Sequence, residues 1–170
     1  MMIRILQLLI TGYFGIFLLL ATGLGVGWSR MNLSPEQPIA FPHTIHAGRL
    51  GLPCNFCHLY VRRGKQATVP PISVCMSCHK NIAVDRPEIV KLTGYYERGE
   101  PIAWNRIYKV PPFVYFTHKR HIKAGIDCSA CHGEVRAMKR VRRVRSLKMG
   151  FCVTCHKSKG APRDCATCHK

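Results

Sequence analysis

One five-residue pattern, C-x-x-C-H, occurs five times in 170 residues and uses all ten cysteines. The copies are Cys54/Cys57-His58, Cys75/Cys78-His79, Cys128/Cys131-His132, Cys152/Cys155-His156 and Cys165/Cys168-His169. A zinc ribbon takes such pairs two at a time and would leave one of the five without a mate. A disulfide framework has no use for the trailing histidine. A thioredoxin-like motif occurs once, inside a βαβ unit. With nine histidines in the chain, five chance followers would arise roughly once in a million sequences. C-x-x-C-H is the attachment signature of c-type haem.

The chemistry accounts for the spacing. Two thiols three positions apart reach the two vinyl groups on one porphyrin edge, and the next histidine comes to lie under the iron. Five haem c groups are therefore expected, with His58, His79, His132, His156 and His169 as proximal ligands. Residues 31–170 leave 28 residues for each of the five sites. So thin a chain cannot bury an ordinary side-chain core, and the porphyrins are expected to form the core themselves.

The N-terminus reads differently. The 25 residues from Ile5 to Ser29 carry no charge. As a helix, residues 5–28 would run roughly 36 Å, enough to cross a bilayer. Trp28 stands where an interfacial aromatic belongs. Ala21-Thr22-Gly23 resembles a signal-peptidase site, but the apolar stretch exceeds a usual signal core, so a retained single-pass anchor is expected. Because c-type haem is attached outside the bacterial cytoplasmic membrane, the haem domain is expected on the periplasmic side. Gly23 and Gly27 form a G-x-x-x-G pair, which would admit a second helix closely or reflect only the frequency of glycine in membrane helices.

Beyond a linker at 31–39 the chain repeats itself. Phe41-Pro42-His43-Thr44-Ile45-His46 precedes the first motif, and Phe116-Thr117-His118-Lys119-Arg120-His121 precedes the third. The second and fourth motifs also match, Val74 to Lys80 against Phe151 to Lys157. This is an internal duplication, which divides the chain into an anchor (1–30), a two-haem unit with a linking helix (31–115) and a three-haem unit (116–170).

Nine histidines less five proximal ones leave His43, His46, His118 and His121, the natural distal ligands. Two histidines three apart on one helical turn face the same way, so each pair can serve two neighbouring haems. No histidine remains for the fifth haem. Methionine is the usual substitute and raises the potential. Met149, three residues before Cys152, is the first candidate and Met138 the second; Met31 and Met76 are the others outside the apolar segment.

Residues 81–115 carry no motif. Asp85-Arg86-Pro87-Glu88 reads as a helix start with a cap, a first-turn proline and a capping-box glutamate, and the helix is expected to stop at Gly99. Trp104 to Phe113 reads as extended chain, its aromatics set to cover haem faces or a partner. Seven basic residues crowd positions 136–148, and the formal net charge is +18. No nucleic acid is expected outside the cytoplasm. Five haems bring about ten propionate charges, so part of this charge is expected to pair with them, and the rest to favour an acidic partner or anionic lipid.

The F-x-H-x-x-H plus C-x-x-C-H unit resembles class III cytochromes c, above all the small c7 type. The whole chain resembles the pentahaem cytochrome subunits of alternative complex III, bacterial quinol:acceptor oxidoreductases. The anchor, the five motifs, Glu100 to Arg106, Val114-Tyr115-Phe116 and Lys148 to Phe151 carry that likeness. It implies a transmembrane helix followed by a haem-cored domain of coil and short helices. It also implies an iron–sulfur subunit, integral membrane quinol-binding subunits and a monohaem cytochrome c as partners. Electrons would pass to a soluble carrier or an oxidase, with no substrate site on this chain. The c7 likeness further implies a wiring: His43 to the Cys54/Cys57 haem, His46 to Cys75/Cys78, His118 to Cys128/Cys131 and His121 to Cys152/Cys155. Met149 would then fall to the Cys165/Cys168 haem.

Two other classes are weighed. A stand-alone anchored quinol dehydrogenase of the NapC/NirT type would need a haem open to the membrane, and the duplicated F-x-H-x-x-H is not that family's pattern. A catalytic multihaem reductase needs an open iron, often from C-x-x-C-K, and the sequence holds no such motif.

Overall fold

The computed structural model describes residues 2–169, without the side chains of residues 30–32. Met31, one of the methionines considered as a ligand, lies outside the described side chains. The chain divides between Pro35 and Glu36 into two compact units.

The first unit is helix α1, Met2–Leu33. Its span Met2–Ser29 is long and apolar enough to cross a membrane, and none of its hydrophobic stretch is buried within the protein. The helix outruns the apolar segment by four residues, taking in the start of the expected linker. It stops where Pro35 disfavours helical backbone at Ser34.

The second unit has short helices joined by coil. In order they are a π-helical turn Thr44–Arg49, α2 Cys54–Cys57, α3 Ile72–His79, α4 Pro87–Glu97, α5 His118–Lys123, α6 Ser129–His132, a 3-10 turn Val135–Ala137, α7 Met149–Ser158 and α8 Cys165–Cys168. Extended pairing among the described residues is confined to a bridge between Val114 and His169. Buried hydrophobic side chains are equally sparse: Ile39, Met76 and Leu92 alone among the described residues. They join α3 to α4, flanked by Ile72, Ile89, Tyr95, Ile102 and Trp104. No described side chain is fully buried, the outcome expected of a domain with so little chain per site.

α4 begins at Pro87 and ends at Glu97, with Arg98 as its C-cap, and Gly99 turns the chain with φ of +65°. The expected capping box does not form. No side chain caps this helix, and Glu88 instead accepts a 2.6 Å hydrogen bond from the Ala40 N–H. The tertiary acceptor role wins because it ties the 36–40 segment to α4. The same segment is held by Gln37, which donates to the Asn105 carbonyl and accepts from the Asn105 N–H at 3.0 and 2.9 Å.

Two contacts between the halves of the duplication involve the histidine-bearing turns. The Arg136 guanidinium donates to the Ala47 carbonyl at 2.9 Å, where the 3-10 turn packs on the π-turn. Gly48 allows this approach: a Cβ there would lie 2.7 Å from the Arg136 carbonyl oxygen. At the second place, the Gly64 and Lys65 carbonyls accept the Lys119 and His118 N–H groups at 3.2 and 3.1 Å. These are orphan donors at the start of α5, so backbone from the first half takes the place of a side-chain cap.

Candidate haem-attachment sites

The ten cysteines are all exposed or half-buried. Each C-x-x-C-H motif lies on or beside one helical turn: α2, the C-terminal part of α3, α6, α7 and α8. A helical turn sets cysteines three apart on one face, as a single porphyrin edge requires.

At the fourth motif, Cys155 lies one turn after Cys152 on α7. A small cavity at this motif is walled by Cys152, His156 and Cys168. The Cys131 thiol is pushed up by burial, then by Cys155 and Cys152. The Cys152 thiol is pushed up by burial and then by Cys168. The Cys155 carbonyl accepts the Ser158 hydroxyl at 2.9 Å and the Lys159 N–H at 3.1 Å, closing the end of the helix.

The histidines are brought together from distant parts of the chain. His46 and His79 have ring centres 6.0 Å apart, His121 and His156 also 6.0 Å, and His118 and His132 6.3 Å. An iron held axially between two imidazoles needs about 2 Å to each nitrogen and about 1 Å more to each ring centre, or roughly 6 Å in all. The three spacings fit. His43 has both His58 and His46 near enough to oppose its protonation. Burial first, then these two rings, push its pKa down to about 4. His132 is shifted down as well, by burial and then by His118 and His58.

The second nitrogens are arranged for the same task. Six Nδ1 atoms meet backbone carbonyls: His46 with Pro42, His58 with Thr68, His79 with Ile82, His118 with Lys65, His121 with Thr117 and His156 with Pro162, at 2.5–3.2 Å. A carbonyl accepts only, so Nδ1 carries the proton and Nε2 presents its lone pair. Metal-bound histidines are held in this way, and the carbonyl fixes both tautomer and ring orientation. His43 differs: its Nδ1 is buried without a hydrogen-bond partner among the described residues.

The phenylalanine of each F-x-H-x-x-H unit has a definite place. Phe41 lies edge-on to His43 at 4.8 Å and stacks on His46 at 4.3 Å. Phe116 repeats this with His118 at 4.8 Å and His121 at 4.6 Å. The duplication thus extends to side-chain geometry, although the first pair rides a π-turn and the second an α-helix.

Two ring partners escaped the sequence reading. Tyr108 sits 4.4 Å from His132, and its hydroxyl donates to the Arg142 carbonyl while accepting the Val144 N–H. Burial, ahead of smaller effects, raises its pKa. Phe113 stacks near His169 at 5.8 Å, and Tyr115 donates its N–H to the Cys168 carbonyl at 2.8 Å. The extended segment 104–113 thus lays rings against His132 and His169. The signal, aromatics in a run without helical spacing, was visible; their targets were not.

Met149 opens α7 and is 68% exposed. Met138, just after the 3-10 turn, is half-buried. Met76 is buried in the α3–α4 cluster at 3% exposure, which explains its conformation by packing alone.

The chain is also similar to known proteins. Residues 114–170 match the family model for cytochrome c7 and related cytochrome c. Over 91% of its length the chain is 25% identical to the multihaem cytochrome c subunit of menaquinone reductase from Nitratidesulfovibrio vulgaris, covering 88% of that protein. The fold is an apolar helix followed by a domain of coil and short helices, c7-like over residues 114–170, and that likeness implies c-type haem.

Proposed function

We propose that the chain is a pentahaem electron-transfer subunit of a membrane-bound quinone oxidoreductase. The observation that carries this reading is the set of three facing histidine pairs, each ring but that of His132 held by a carbonyl at Nδ1. Bound haem supplies a one-electron carrier whose potential depends on its axial ligands. Everything else is the work of the chain. The ten cysteines would attach five porphyrins, and the histidine after each pair would hold its iron. The fourth site would use Cys152 and Cys155. His46, His118 and His121 would be the second ligands paired with His79, His132 and His156, and His43 the one paired with His58. Met149 is the proposed partner of His169, with Met138 second. Four filled bis-histidine sites leave little place for substrate at iron, so the subunit conducts and does not itself transform a substrate.

α1 would anchor the domain to the bacterial cytoplasmic membrane with the haems on the periplasmic side. The partners proposed are an iron–sulfur subunit, integral quinol-binding subunits, a monohaem cytochrome c and a soluble carrier. The likeness to alternative complex III favours electrons flowing from menaquinol outward. The name of the menaquinone reductase relative favours the opposite direction through a similar assembly. A stand-alone quinol dehydrogenase of the NapC/NirT type is the remaining alternative.

Mild detergent extraction, a haem-stained native gel and intact mass of the stained chain test the proposal. Five haem additions on a chain co-migrating with an iron–sulfur protein and multispanning subunits are expected. A chain that migrates alone and is reduced by quinol would replace it with the stand-alone dehydrogenase. Reconstitution with menaquinol and with menaquinone, each monitored at the haem Soret band, decides the direction.

A further inference from the structure

The row of haem sites need not follow the order of the motifs in the chain, and four sets of contacts bear on it. The Cys75/Cys78 and Cys54/Cys57 sites share the π-turn, where Phe41 touches both His43 and His46. The Cys128/Cys131 and Cys152/Cys155 sites share α5 in the same way, where Phe116 touches both His118 and His121. The Cys152/Cys155 and Cys165/Cys168 sites line one small cavity with Cys152, His156, Pro162 and Cys168 on its wall.

The junction between the two halves is the informative contact. One loop holds a histidine from each side: Thr68 accepts from His58, and Lys65, three residues earlier, accepts from His118 at 2.7 Å. Beside it, Arg136 reaches Ala47 at 2.9 Å. The first site of one half therefore meets the first site of the other. Meanwhile α3, which bears Cys75 and Cys78, packs against α4 through Met76 and Leu92.

We propose that the five sites form a row in the order Cys75/Cys78, Cys54/Cys57, Cys128/Cys131, Cys152/Cys155, Cys165/Cys168, with the duplicated units joined first site to first site. The second motif in sequence is then a terminus of the row, and the first motif is an interior relay. Each hop moves one electron, the donor site being oxidised as its neighbour is reduced, with no bond made or broken. Electrons enter and leave through the quinone-reacting partner and the external carrier. This order rests on the reading that all five motifs hold haem.

Interhaem NOEs in the reduced, haem-loaded full chain test it, each haem being assigned through the β-protons of its own cysteines. Cross-peaks from the Cys54/Cys57 haem to both the Cys75/Cys78 and Cys128/Cys131 haems are expected. Cross-peaks joining Cys75/Cys78 directly to Cys128/Cys131, with none from Cys54/Cys57, would overturn the order. A second measurement uses His43→Met and His46→Met, each of which raises one haem's potential. In a haem-resolved redox titration, His43→Met should displace two neighbouring midpoints and His46→Met one. The reverse pattern would also overturn the row. Intact mass separates the two failures, because fewer than five haems on the wild-type chain would remove the underlying reading and not merely the order.

Discussion

Phe41 lies almost flat on His46, ring centres 4.3 Å apart and planes 23° from parallel, while the same phenylalanine meets His43 edge-on. One side chain thus orients two histidines three residues apart. Offset-stacked and edge-to-face pairs of this kind add roughly 1 kcal/mol beyond the area they bury. Phe41→Leu keeps most of the apolar bulk and removes both ring contacts. We expect a destabilisation of about 1 kcal/mol, read as a lowered Tm of the haem-loaded protein, and the same for Phe116→Leu. An unchanged Tm for both would show that the rings only fill space.

The three facing pairs differ in ring orientation. His118 and His132 are 13° from parallel, His121 and His156 are at 51°, and His46 and His79 are at 66°. Parallel imidazoles split the iron's π-type d orbitals, and crossed ones leave them nearly degenerate, so orientation is written into the EPR spectrum of the ferric state. The Cys128/Cys131 haem should give a rhombic low-spin signal and the Cys75/Cys78 haem a strongly anisotropic one. Assignment by His118→Ala and His46→Ala, each removing one low-spin signal, checks this; loss of the wrong signal would refute the pairing.

The close approach at Gly48 sets a steric test. A methyl group there would meet the Arg136 carbonyl oxygen at 2.7 Å, and backbone cannot swing aside. Gly48→Ala should cost about 1–3 kcal/mol. Gly94, inside α4, would meet only the flexible end of Arg98 at 3.0 Å. Gly94→Ala should therefore stabilise by about 0.5–1 kcal/mol through helix propensity. Opposite shifts in denaturant midpoint are expected, and a harmless Gly48→Ala would mean the halves are not packed through the π-turn.

The fifth site is tested by its sulfur. If Met149 completes the Cys165/Cys168 site, Met149→Leu abolishes the highest-potential step of the redox titration and Met138→Leu leaves it in place. Methionine ligation raises the potential relative to histidine. Loss of that step in Met138→Leu alone would move the ligand to Met138, and its survival in both variants would exclude each.

The Tyr108 hydroxyl ties the chain at Arg142 and Val144 to a ring lying on His132. Tyr108→Phe keeps the ring and removes both hydrogen bonds, a loss of about 1 kcal/mol for each bond not replaced by water. The spectrum of the Cys128/Cys131 haem should be unaltered while the Tm falls. A changed haem spectrum would mean that the hydroxyl, and not the ring, positions His132.

Much of this protein is local and so was legible in one dimension. The placing of two cysteines three positions apart is a property of a single helical turn, and the apolar run through Ser29 needs no partner to form α1. The helix starting at Pro87 and ending before Gly99 likewise depends on backbone preferences of adjacent residues. Glu88 shows where local reasoning stops: as a lone helix residue it belongs to a capping box, yet Ala40, 48 positions away, claims it.

The sequence by itself determined where the five C-x-x-C-H motifs lie, because each pattern is made of residues within one turn of each other. It also determined that the chain must be thin-cored, because length and site number leave no other possibility. Only the tertiary structure decided which histidines face one another, which carbonyl orients each ring, and that the first site of one half abuts the first site of the other. Those relationships join residues as far apart as Ala47 and Arg136, and no local spacing encodes a contact made by chain that returns from so far away.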